Sequence, residues 1–372
     1  MMYLDSPAGV GMSYSLNKSD YKTGDLKTAA DAHIFLLKWF ELYPEFQLNP
    51  FYISGESYAG IYIPTLADEV VKGIQMALKP RINLKGYLIG NGATDADYDL
   101  NSFVPFAHGM GLISTDLFAL FQDVSAACHG TFWGKVNDVC QENIDRVRWE
   151  LKDLNTYNIL APCYHHPEVQ ETAFVNSSLP SSFRKLGETE RPFPVRKRMA
   201  GLSWPLGLPV SSGHVTLWPE LGGRSLPCTS DELATIWLDD EDVRAAIHAK
   251  AKSLIGSWEL NTARIDYTHD TGSMVEYHKK FTAMGYRVLI YSGDHDLCIP
   301  FTGTEAWVRS LGYRVVDSWR PWHFGGQVAG YTQGYDHNLT FLTIKGSGHT
   351  VPEYKPKESL AFYTHWLFGE KI

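Results

Sequence analysis

Residues 51–60 read FYISGESYAG, a short apolar run that leads into a turn of small residues around Ser57. From residue 61 to residue 72 apolar side chains recur at roughly helical spacing, so the stretch predicts a strand, a sharp turn and a helix. This arrangement exposes a serine for nucleophilic attack, and it needs small neighbours because strand and helix come very close. Ala59 replaces the second glycine of the G-x-S-x-G pattern and is small enough to serve. The alternative is a surface turn with an ordinary serine.

A nucleophilic serine requires a base, and the base requires a carboxylate that fixes its tautomer. Two later stretches, 287–296 (RVLIYSGDHD) and 339–349 (LTFLTIKGSGH), each read as a buried strand that runs into a polar, glycine-containing loop. Because the carboxyl ends of parallel strands share one edge of a sheet, the loops predict a site there. His349 is the candidate base. Spacing alone does not choose between Asp294 and Asp296 as the acid.

Other motifs suggest different chemistry but are less complete. His165-His166 resembles a metal pair, yet no partner follows at ligand spacing, and we interpret the pair as surface of an insertion. The aspartates around His295 lack the fuller acidic pattern of a calcium loop. Residues 90–92, GNG, resemble the start of a dinucleotide loop, but Asp95 stands where the third glycine belongs.

Together these segments resemble one family, the serine carboxypeptidases, and particularly its plant members. The resemblance is carried by LDSPAGVG at 4–11, GESYAG at 55–60, YSGDHD at 291–296 and GSGHTVP at 346–352, and LIGNG at 88–92 also fits. It implies an α/β-hydrolase fold, in which a central, mostly parallel sheet is flanked by helices and carries a helical cap insertion. It also implies that the enzyme releases C-terminal amino acids from peptides or proteins.

The resemblance assigns roles to five residues. Ser57 is the nucleophile, His349 the base and Asp296 the orienting acid, while the backbone N–H of Tyr58 supplies half of the oxyanion hole. Glu56 binds the substrate carboxylate, which a glutamic acid kept protonated by burial can do by donating a hydrogen bond. Activity is therefore expected to favour acidic pH. The alternative for Glu56 is a carboxylate stabilised by the helix N-terminus.

One departure from the family pattern concerns the start of the chain. Members carry an Asn-Gly-Gly-Pro-Gly-Cys-Ser-Ser stretch upstream of LDSPAGVG, which supplies the second oxyanion donor, and this sequence begins almost at Leu4. We therefore expect an N-terminally truncated chain in which the first strands and the secretory signal are missing. Loss of one oxyanion donor typically lowers the rate by about two to three powers of ten.

Composition describes an ordinary globular protein with a large core, since 44% of residues are hydrophobic and 20% are charged. A net charge of −9 does not suggest a nucleic-acid partner, and no apolar run approaches the length of a membrane span. We expect neither a metal nor an organic cofactor, because a hydroxyl activated by imidazole needs neither. The resemblance allows a homodimer.

The five cysteines favour an oxidising compartment, although five reduced cysteines of a cytosolic protein are the alternative. Cys128 and Cys140 bracket a short loop and are candidates for a local disulfide. Cys163 and Cys228 flank the insertion, and by resemblance Cys228 pairs with a cysteine of the absent glycine-rich stretch. Cys298 is expected to stay a thiol.

Three N-x-S/T sequons, at Asn17, Asn176 and Asn338, are glycosylation candidates. With the cysteines and the resemblance they lead us to expect a secreted protein or one of a vacuolar or lysosomal type of compartment. Each sequon is weak support for secretion when taken alone.

The chain is expected to divide into a hydrolase core, residues 1–112 and 227–372, and a cap insertion, residues 113–226. The cap contains an exposed basic linker at about 184–198, where prolines interrupt the pattern. Amphipathic helices are predicted at 25–42 and 356–368.

Two other functions remain open at this point. Related acyltransferases transfer acyl groups from sugar esters, but they typically carry aspartate before the serine, so Glu56 favours peptide hydrolysis. The chain could also be an inactive fragment or binding protein that retains the three side chains without half of the oxyanion hole.

Overall fold

The computed structural model describes residues 1–128, 138–163, 228 and 232–372, with the backbone alone at 122–128, 138–141, 143, 144 and 232. The strands within these residues are β1 (Lys22–Gly24), β2 (Phe51–Glu56), β3 (Leu84–Gly90), β4 (Asp266–Thr268), β5 (Arg287–Gly293), β6 (Val315–Phe324), β7 (Gln327–Tyr335) and β8 (Leu339–Ile344).

Helices occupy most of the remaining described chain. They are α1 (Asp25–Leu42), α2 (Ala59–Gln75), α3 (Ala96–Asn101), α4 (Phe103–Gly109), α5 (Thr115–Cys128), α6 (Asp138–Glu150), α7 (Glu232–Leu238), α8 (Glu241–Ala246), α9 (Lys252–Ile255), α10 (Val275–Ala283), α11 (Phe301–Ser310), α12 (Val351–Tyr354) and α13 (Pro356–Phe368), with short 3₁₀ helices at Lys18–Tyr21 and Pro44–Phe46.

A six-stranded sheet in the order β2-β3-β5-β8-β7-β6 forms the centre of the molecule. The first four of these strands are parallel, and β7 and β6 form an antiparallel extension. In register, Gly90 pairs with Glu56 on one side and with Tyr291 on the other, so β2, β3 and β5 end at the same edge. The mostly parallel sheet of the sequence prediction is confirmed.

Both faces of the central part of this sheet are covered, which explains why β3, β5 and β8 are almost continuously buried. Successive residues of β3 alternate between two hydrophobic clusters, Tyr87 and Ile89 in one and Leu88 in the other. The first cluster includes buried side chains of α1, α2, α10 and α11, and the second includes Phe362 and Trp366 of α13. Helices therefore flank the sheet on both sides.

The N-terminal residues lie outside the central sheet, and no strand is assigned to residues 1–6. A strand requires a hydrogen-bonding neighbour, and among the described residues β2 forms the edge of the sheet with β3 as its single partner. The nearby β1 instead pairs in parallel with β4, in a separate two-stranded sheet.

The first helices of the predicted cap pack continuously onto the core. One hydrophobic cluster joins Phe106 of α4 to Ile113, Phe121 and Leu151, and it also includes Leu297 from the loop after β5. The predicted boundary at residue 112 thus crosses a packed cluster, and the division into core and cap remains a prediction. The basic linker at 184–198 and His165-His166 lie outside the described residues.

Cys163 and Cys228 form a disulfide bond, with their Cα atoms 4.4 Å apart. This differs from the pairing that the family resemblance implied for Cys228. Cys298 is a buried thiol. The side chains of Cys128 and Cys140 lie outside the described part of the structure, so their pairing remains a prediction.

Two of the three sequon asparagines have described positions. Asn17 and Asn338 are both exposed, the second in the turn between β7 and β8. Asn176 lies outside the described residues. In the parts of the chain that the structure describes, no helix is long and apolar enough to span a membrane.

Truncation of Phe281 tests the core between the sheet and α10. This side chain is fully buried, so Phe281→Ala should lower the free energy of unfolding by about 3–5 kcal/mol. Phe368 is 77% exposed, and Phe368→Ala should change it by no more than about 0.5 kcal/mol. Urea unfolding of both variants measures the difference, and equal losses would contradict the assignment of Phe281 to the core.

Candidate active site

Ser57 lies in a sharp turn between β2 and α2 and has a positive φ of 61°. An L-residue rarely adopts this left-handed conformation, and nucleophilic serines of strand–turn–helix sites are held in such strained turns. The Ser57 carbonyl accepts hydrogen bonds from the N–H groups of Gly60 at 2.9 Å and Ala93 at 3.0 Å, and the Ser57 N–H donates to the Gly90 carbonyl at 3.1 Å. The turn is therefore fixed by the neighbouring loop after β3.

The small residues of the turn are required by close backbone approach. A Cβ atom on Gly60 would lie 2.1 Å from the carbonyl oxygen of Ala93, and one on Gly55 would lie 2.5 Å from the Cβ of Ala59. No side chain fits at either distance, so strand and helix can meet here only because both positions are glycine. This close approach is the reason that the sequence pattern demanded small residues around Ser57.

Asp296 follows β5 and is completely buried. Its Oδ2 accepts hydrogen bonds from Nδ1 of His349 and from the side-chain amide of Asn91, both at 2.7 Å, and its Oδ1 accepts one from the Cys298 N–H at 2.8 Å. A buried carboxylate is tolerated when hydrogen bonds satisfy its oxygens, as three donors do here.

Asp294, the other candidate acid, lies elsewhere. Its Oδ1 contacts Nδ1 of His295 at 2.5 Å and accepts a hydrogen bond from the Gly346 N–H at 2.6 Å. Asp294 therefore links the loop after β5 to the loop after β8, whereas Asp296 faces His349. Of the two aspartates, Asp296 is the one that is hydrogen-bonded to His349.

His349 is only 5% exposed, and its pKa reflects two opposing influences. Burial lowers the pKa, but the Asp296 carboxylate with its hydrogen bond, together with the charge of Glu56, outweighs burial and raises the pKa above its usual value. Nε2 of His349 is buried and has no hydrogen-bond partner among the described residues. The structure thus joins His349 to Asp296 but forms no hydrogen bond from Ser57 to His349, a contact that in substrate-free enzymes often tightens only when substrate binds.

A short segment that the sequence analysis placed in the cap, residues 156–159, braces both polar loops. The Thr156 carbonyl accepts hydrogen bonds from the N–H groups of Leu297 and Cys298, at 2.9 and 3.1 Å, and the Tyr157 carbonyl accepts one from the His349 N–H at 2.6 Å. A Cβ on Gly348 would lie 2.3 Å from the Tyr157 carbonyl oxygen. The glycine before His349 is the only sequence signal of this contact.

Asn91 is a second residue whose role the sequence analysis did not identify. It is completely buried with a φ of 41°, a left-handed conformation that asparagine tolerates better than most residues. Its side-chain nitrogen Nδ2 donates a hydrogen bond to Asp296 at 2.7 Å, and its side-chain oxygen Oδ1 accepts one from the Gly293 N–H at 3.0 Å. One side chain thereby connects the ends of β3 and β5 and orients the acid.

Glu56 and Tyr58 flank the serine and are both half-buried. Glu56 ends β2, and its charge raises the pKa of His349 and contributes, after burial, to the raised pKa of Tyr291. Tyr58 directly precedes α2, and within the described residues no hydrogen bond uses its backbone N–H. An unused N–H at a helix N-terminus can donate a hydrogen bond to a developing negative charge.

No group of three or more histidine, cysteine, aspartate or glutamate side chains with a metal-binding arrangement occurs in the described portions of the chain. The hydrogen-bonded set described above is instead of the kind that activates a hydroxyl. Its members converge at the carboxyl edge of the parallel strands, where open α/β sheets keep their sites.

Replacing Asn91 tests its support of Asp296. Asn91→Asp puts a second carboxylate against a buried one, so the pair resists ionisation and its shared pKa rises. At any pH where both groups must ionise, this raised pKa destabilises the folded state. We therefore expect Asn91→Asp to lower the free energy of unfolding by about 3 kcal/mol at pH 7, and by less at pH 5.

The matched control is Asn17→Asp. Asn17 is exposed, and its Oδ1 accepts a hydrogen bond from the Ser19 N–H at 3.1 Å, which a carboxylate does equally well. Urea unfolding at both pH values measures the two variants. Similar, pH-independent losses for both substitutions would show that Asn91 does not support the acid.

Comparison with known proteins agrees with this geometry. Residues 1–369 match the family described as serine carboxypeptidase. Serine carboxypeptidase 1 of Hordeum vulgare is 59% identical over 372 residues, and serine carboxypeptidase-like 20 of Arabidopsis thaliana is 57% identical over 373 residues; each alignment covers 100% of this chain and 74% of the relative.

A crystal structure of a prohormone-processing carboxypeptidase from Saccharomyces cerevisiae matches the fold, with a TM-score of 0.68 and 18% identity over 98% of this chain and 73% of that one. At this identity the match shows the fold alone. The match to the family over nearly the whole chain, together with the high identity of the two plant relatives, shows that this protein belongs to the serine carboxypeptidase family and is a peptidase of the α/β-hydrolase fold.

Proposed function

We propose that this carboxypeptidase works through Ser57 as nucleophile, His349 as general base and Asp296 as the acid that orients the base. The observation that carries the proposal is the buried hydrogen bond of 2.7 Å between His349 Nδ1 and Asp296 Oδ2, at the sheet edge where Ser57 is held in its strained turn. That bond fixes the imidazole with Nε2 available to take a proton.

The reaction follows the acyl-enzyme route. Oγ of Ser57 attacks the carbonyl carbon of the last peptide bond while its proton passes to Nε2 of His349. His349 then protonates the departing amino group, the C–N bond breaks, and the released amino acid leaves an ester on Ser57. Water, deprotonated by His349, hydrolyses that ester and regenerates the serine.

The backbone N–H of Tyr58 is the proposed oxyanion donor of this chain. It is supported by its place directly after Ser57 and at the N-terminus of α2, where the helix dipole favours negative charge. A donor held in a packed turn stabilises the transition state without having to reorganise when charge develops.

Glu56 is the proposed contact for the free carboxylate of the substrate. In its protonated form it donates a hydrogen bond to that carboxylate, whereas an ionised Glu56 repels it. Protonation also removes a negative charge that raises the pKa of His349, so more of the base is neutral at acidic pH. Both effects support peptidase activity that favours acidic conditions.

The compartment and the oligomeric state are further proposals. A disulfide between Cys163 and Cys228 favours an oxidising environment, which agrees with a secreted or vacuolar protein. Exposed sequon asparagines at positions 17 and 338 are accessible to glycosylation there. A homodimer is proposed from the family resemblance alone.

Replacement of the nucleophile tests the mechanism. Ser57→Ala should lower hydrolysis of a blocked dipeptide by at least about 10⁴-fold and abolish labelling by an organophosphate, because no other group can form the acyl intermediate. Ser54→Ala is the control, since Ser54 is exposed on the same strand. Persistent labelling of the Ser57 variant would refute the assignment. Turnover of an acyl-glucose but not of the dipeptide would indicate an acyltransferase.

A charge substitution at Glu56 tests its effect on the base. With a substrate whose C-terminal carboxylate is blocked as an amide, the acid limb of the kcat/KM profile reports the protonation of His349 in the free enzyme. Because the charge of Glu56 raises the pKa of His349, Glu56→Gln should move this limb to lower pH.

The matched control is Glu45→Gln, which neutralises an exposed glutamate in the 3₁₀ helix before β2. It should leave the profile in place. An acid limb that stays unchanged in the Glu56 variant would show that this charge does not act on His349.

A further inference from the structure

A second buried carboxylate, Asp25, lies beside the nucleophile turn. It is the first residue of α1 and has no exposed surface. Its two oxygens accept five hydrogen bonds: from the hydroxyls of Tyr58 (2.8 Å) and Tyr267 (2.8 Å) on Oδ1, and from the Asp270 N–H (3.0 Å), the Thr271 N–H (3.2 Å) and the Thr271 hydroxyl (2.9 Å) on Oδ2. So many donors on one acid indicate a carboxylate that is ionised and held in place.

The pairing of β1 with β4 brings these groups together. Gly24 pairs with Thr268, and a Cβ on Gly24 would lie 2.6 Å from the Thr268 carbonyl oxygen, so only glycine lets the two segments approach this closely. The side chain of Asp270 accepts a hydrogen bond from the Leu26 N–H at 3.1 Å while its own N–H donates to Asp25. This reciprocal contact fixes the start of α1 against residues 266–271.

The proton arrangement follows from the partners of the Tyr58 hydroxyl. This oxygen contacts Asp25 and also Nδ1 of His269. A phenol has one proton, and an ionised carboxylate has none, so Tyr58 donates to Asp25 and His269 Nδ1–H donates to Tyr58. Burial lowers the pKa of His269 even though Asp25 and Asp270 act to raise it, which agrees with a neutral imidazole.

We propose that Asp25 is a positioning residue, which holds the backbone N–H of Tyr58 in place for the oxyanion by anchoring the Tyr58 phenol. The inference rests on the proposed function, because it takes that N–H as the oxyanion donor. The Tyr58 ring is further confined by edge contacts with Tyr62 and His269, at centroid distances of 4.9 and 5.2 Å.

The physical reason is that both ends of residue 58 are fixed. Its backbone belongs to the tight turn at Ser57, and its side chain ends on a buried acid that is itself immobile. An oxyanion donor is effective only while its direction is preorganised, and displacement of a catalytic group by about 1 Å can lower a rate by roughly 100-fold. If the Tyr58 phenol loses its anchor, the peptide group that follows Ser57 therefore gains mobility as well.

A comparison of Tyr58 with Tyr267 distinguishes this positioning role from a purely structural one. Its hydroxyl donates to the same Oδ1 atom over the same distance, 2.8 Å, as that of Tyr58, but Tyr267 lies in β4 and not in the nucleophile turn. If Asp25 merely connects α1 with β4, loss of either hydroxyl should change the catalytic rate equally. If Asp25 positions the Tyr58 N–H, loss of the Tyr58 hydroxyl should lower the rate more than loss of the Tyr267 hydroxyl.

The experiment compares Tyr58→Phe, Tyr267→Phe and Asp25→Asn in this chain, by the rate of Ser57 labelling with an organophosphate, by kcat and KM for a blocked dipeptide, and by thermal unfolding. We expect kcat and the labelling rate to fall about 10-fold in Tyr58→Phe and up to about 100-fold in Asp25→Asn, with KM nearly unchanged in both variants. In Tyr267→Phe both rates should stay within about twofold of those of the unsubstituted protein. The two phenylalanine variants should lose similar stability. Equal kinetic losses in these two variants, or unchanged kcat in Asp25→Asn, would overturn the proposal.

A measurement without catalysis separates this proposal from the proposed function. In uniformly ¹⁵N-labelled protein, the amide of residue 58 should show exchange broadening in Tyr58→Phe and Asp25→Asn but not in Tyr267→Phe. An equally sharp amide in all variants would refute the positioning role. If unsubstituted protein fails to label at Ser57, the proposed function is wrong, and the amide spectra still decide whether Asp25 holds this peptide group. Should Asp25→Asn not fold, the comparison of the two phenylalanine variants suffices.

Discussion

The hydrogen bond between His349 and Asp296 is the contact on which the site depends, because it places a fully buried carboxylate under a buried imidazole. Such an acid is tolerated only if its oxygens are satisfied, and Asn91 and the Cys298 N–H supply the two other hydrogen bonds. Each donor comes from a different part of the chain, so the ends of β3, β5 and β8 must be in register before the acid can be buried. The parallel sheet provides this register.

Glycine at the right positions makes the convergence possible. Gly60 lets α2 meet the loop after β3, and Gly348 lets the histidine loop lie against residues 156–159. The same principle brings β1 to β4 at Gly24. In each case two backbones approach within a distance that excludes a Cβ atom, and a hydrogen-bonded polar group is held nearby as a result. At this edge of the sheet, close backbone packing and the hydrogen bonding of buried polar groups thus depend on the same glycines.

Two buried acids organise the surroundings of Ser57. Asp296 acts on the imidazole, whereas Asp25 joins α1, the nucleophile turn and residues 266–271 through five hydrogen bonds. Asp296 belongs to a motif that the family resemblance singles out, whereas Asp25 carries no marked sequence signal, since most aspartates are exposed. Their importance follows from burial and from the number of donors that each one satisfies.

Local patterns in the sequence were enough to predict the strand–turn–helix at Ser57 and the strands β5 and β8, and they gave the bounds of α1 and α13 to within one residue, because periodicity and turn chemistry act between near neighbours. They did not reveal Asn91 or residues 156–159, and they did not pair Cys163 with Cys228. These features join segments up to more than two hundred residues apart, so only the folded chain, by bringing them within hydrogen-bond distance, decided them.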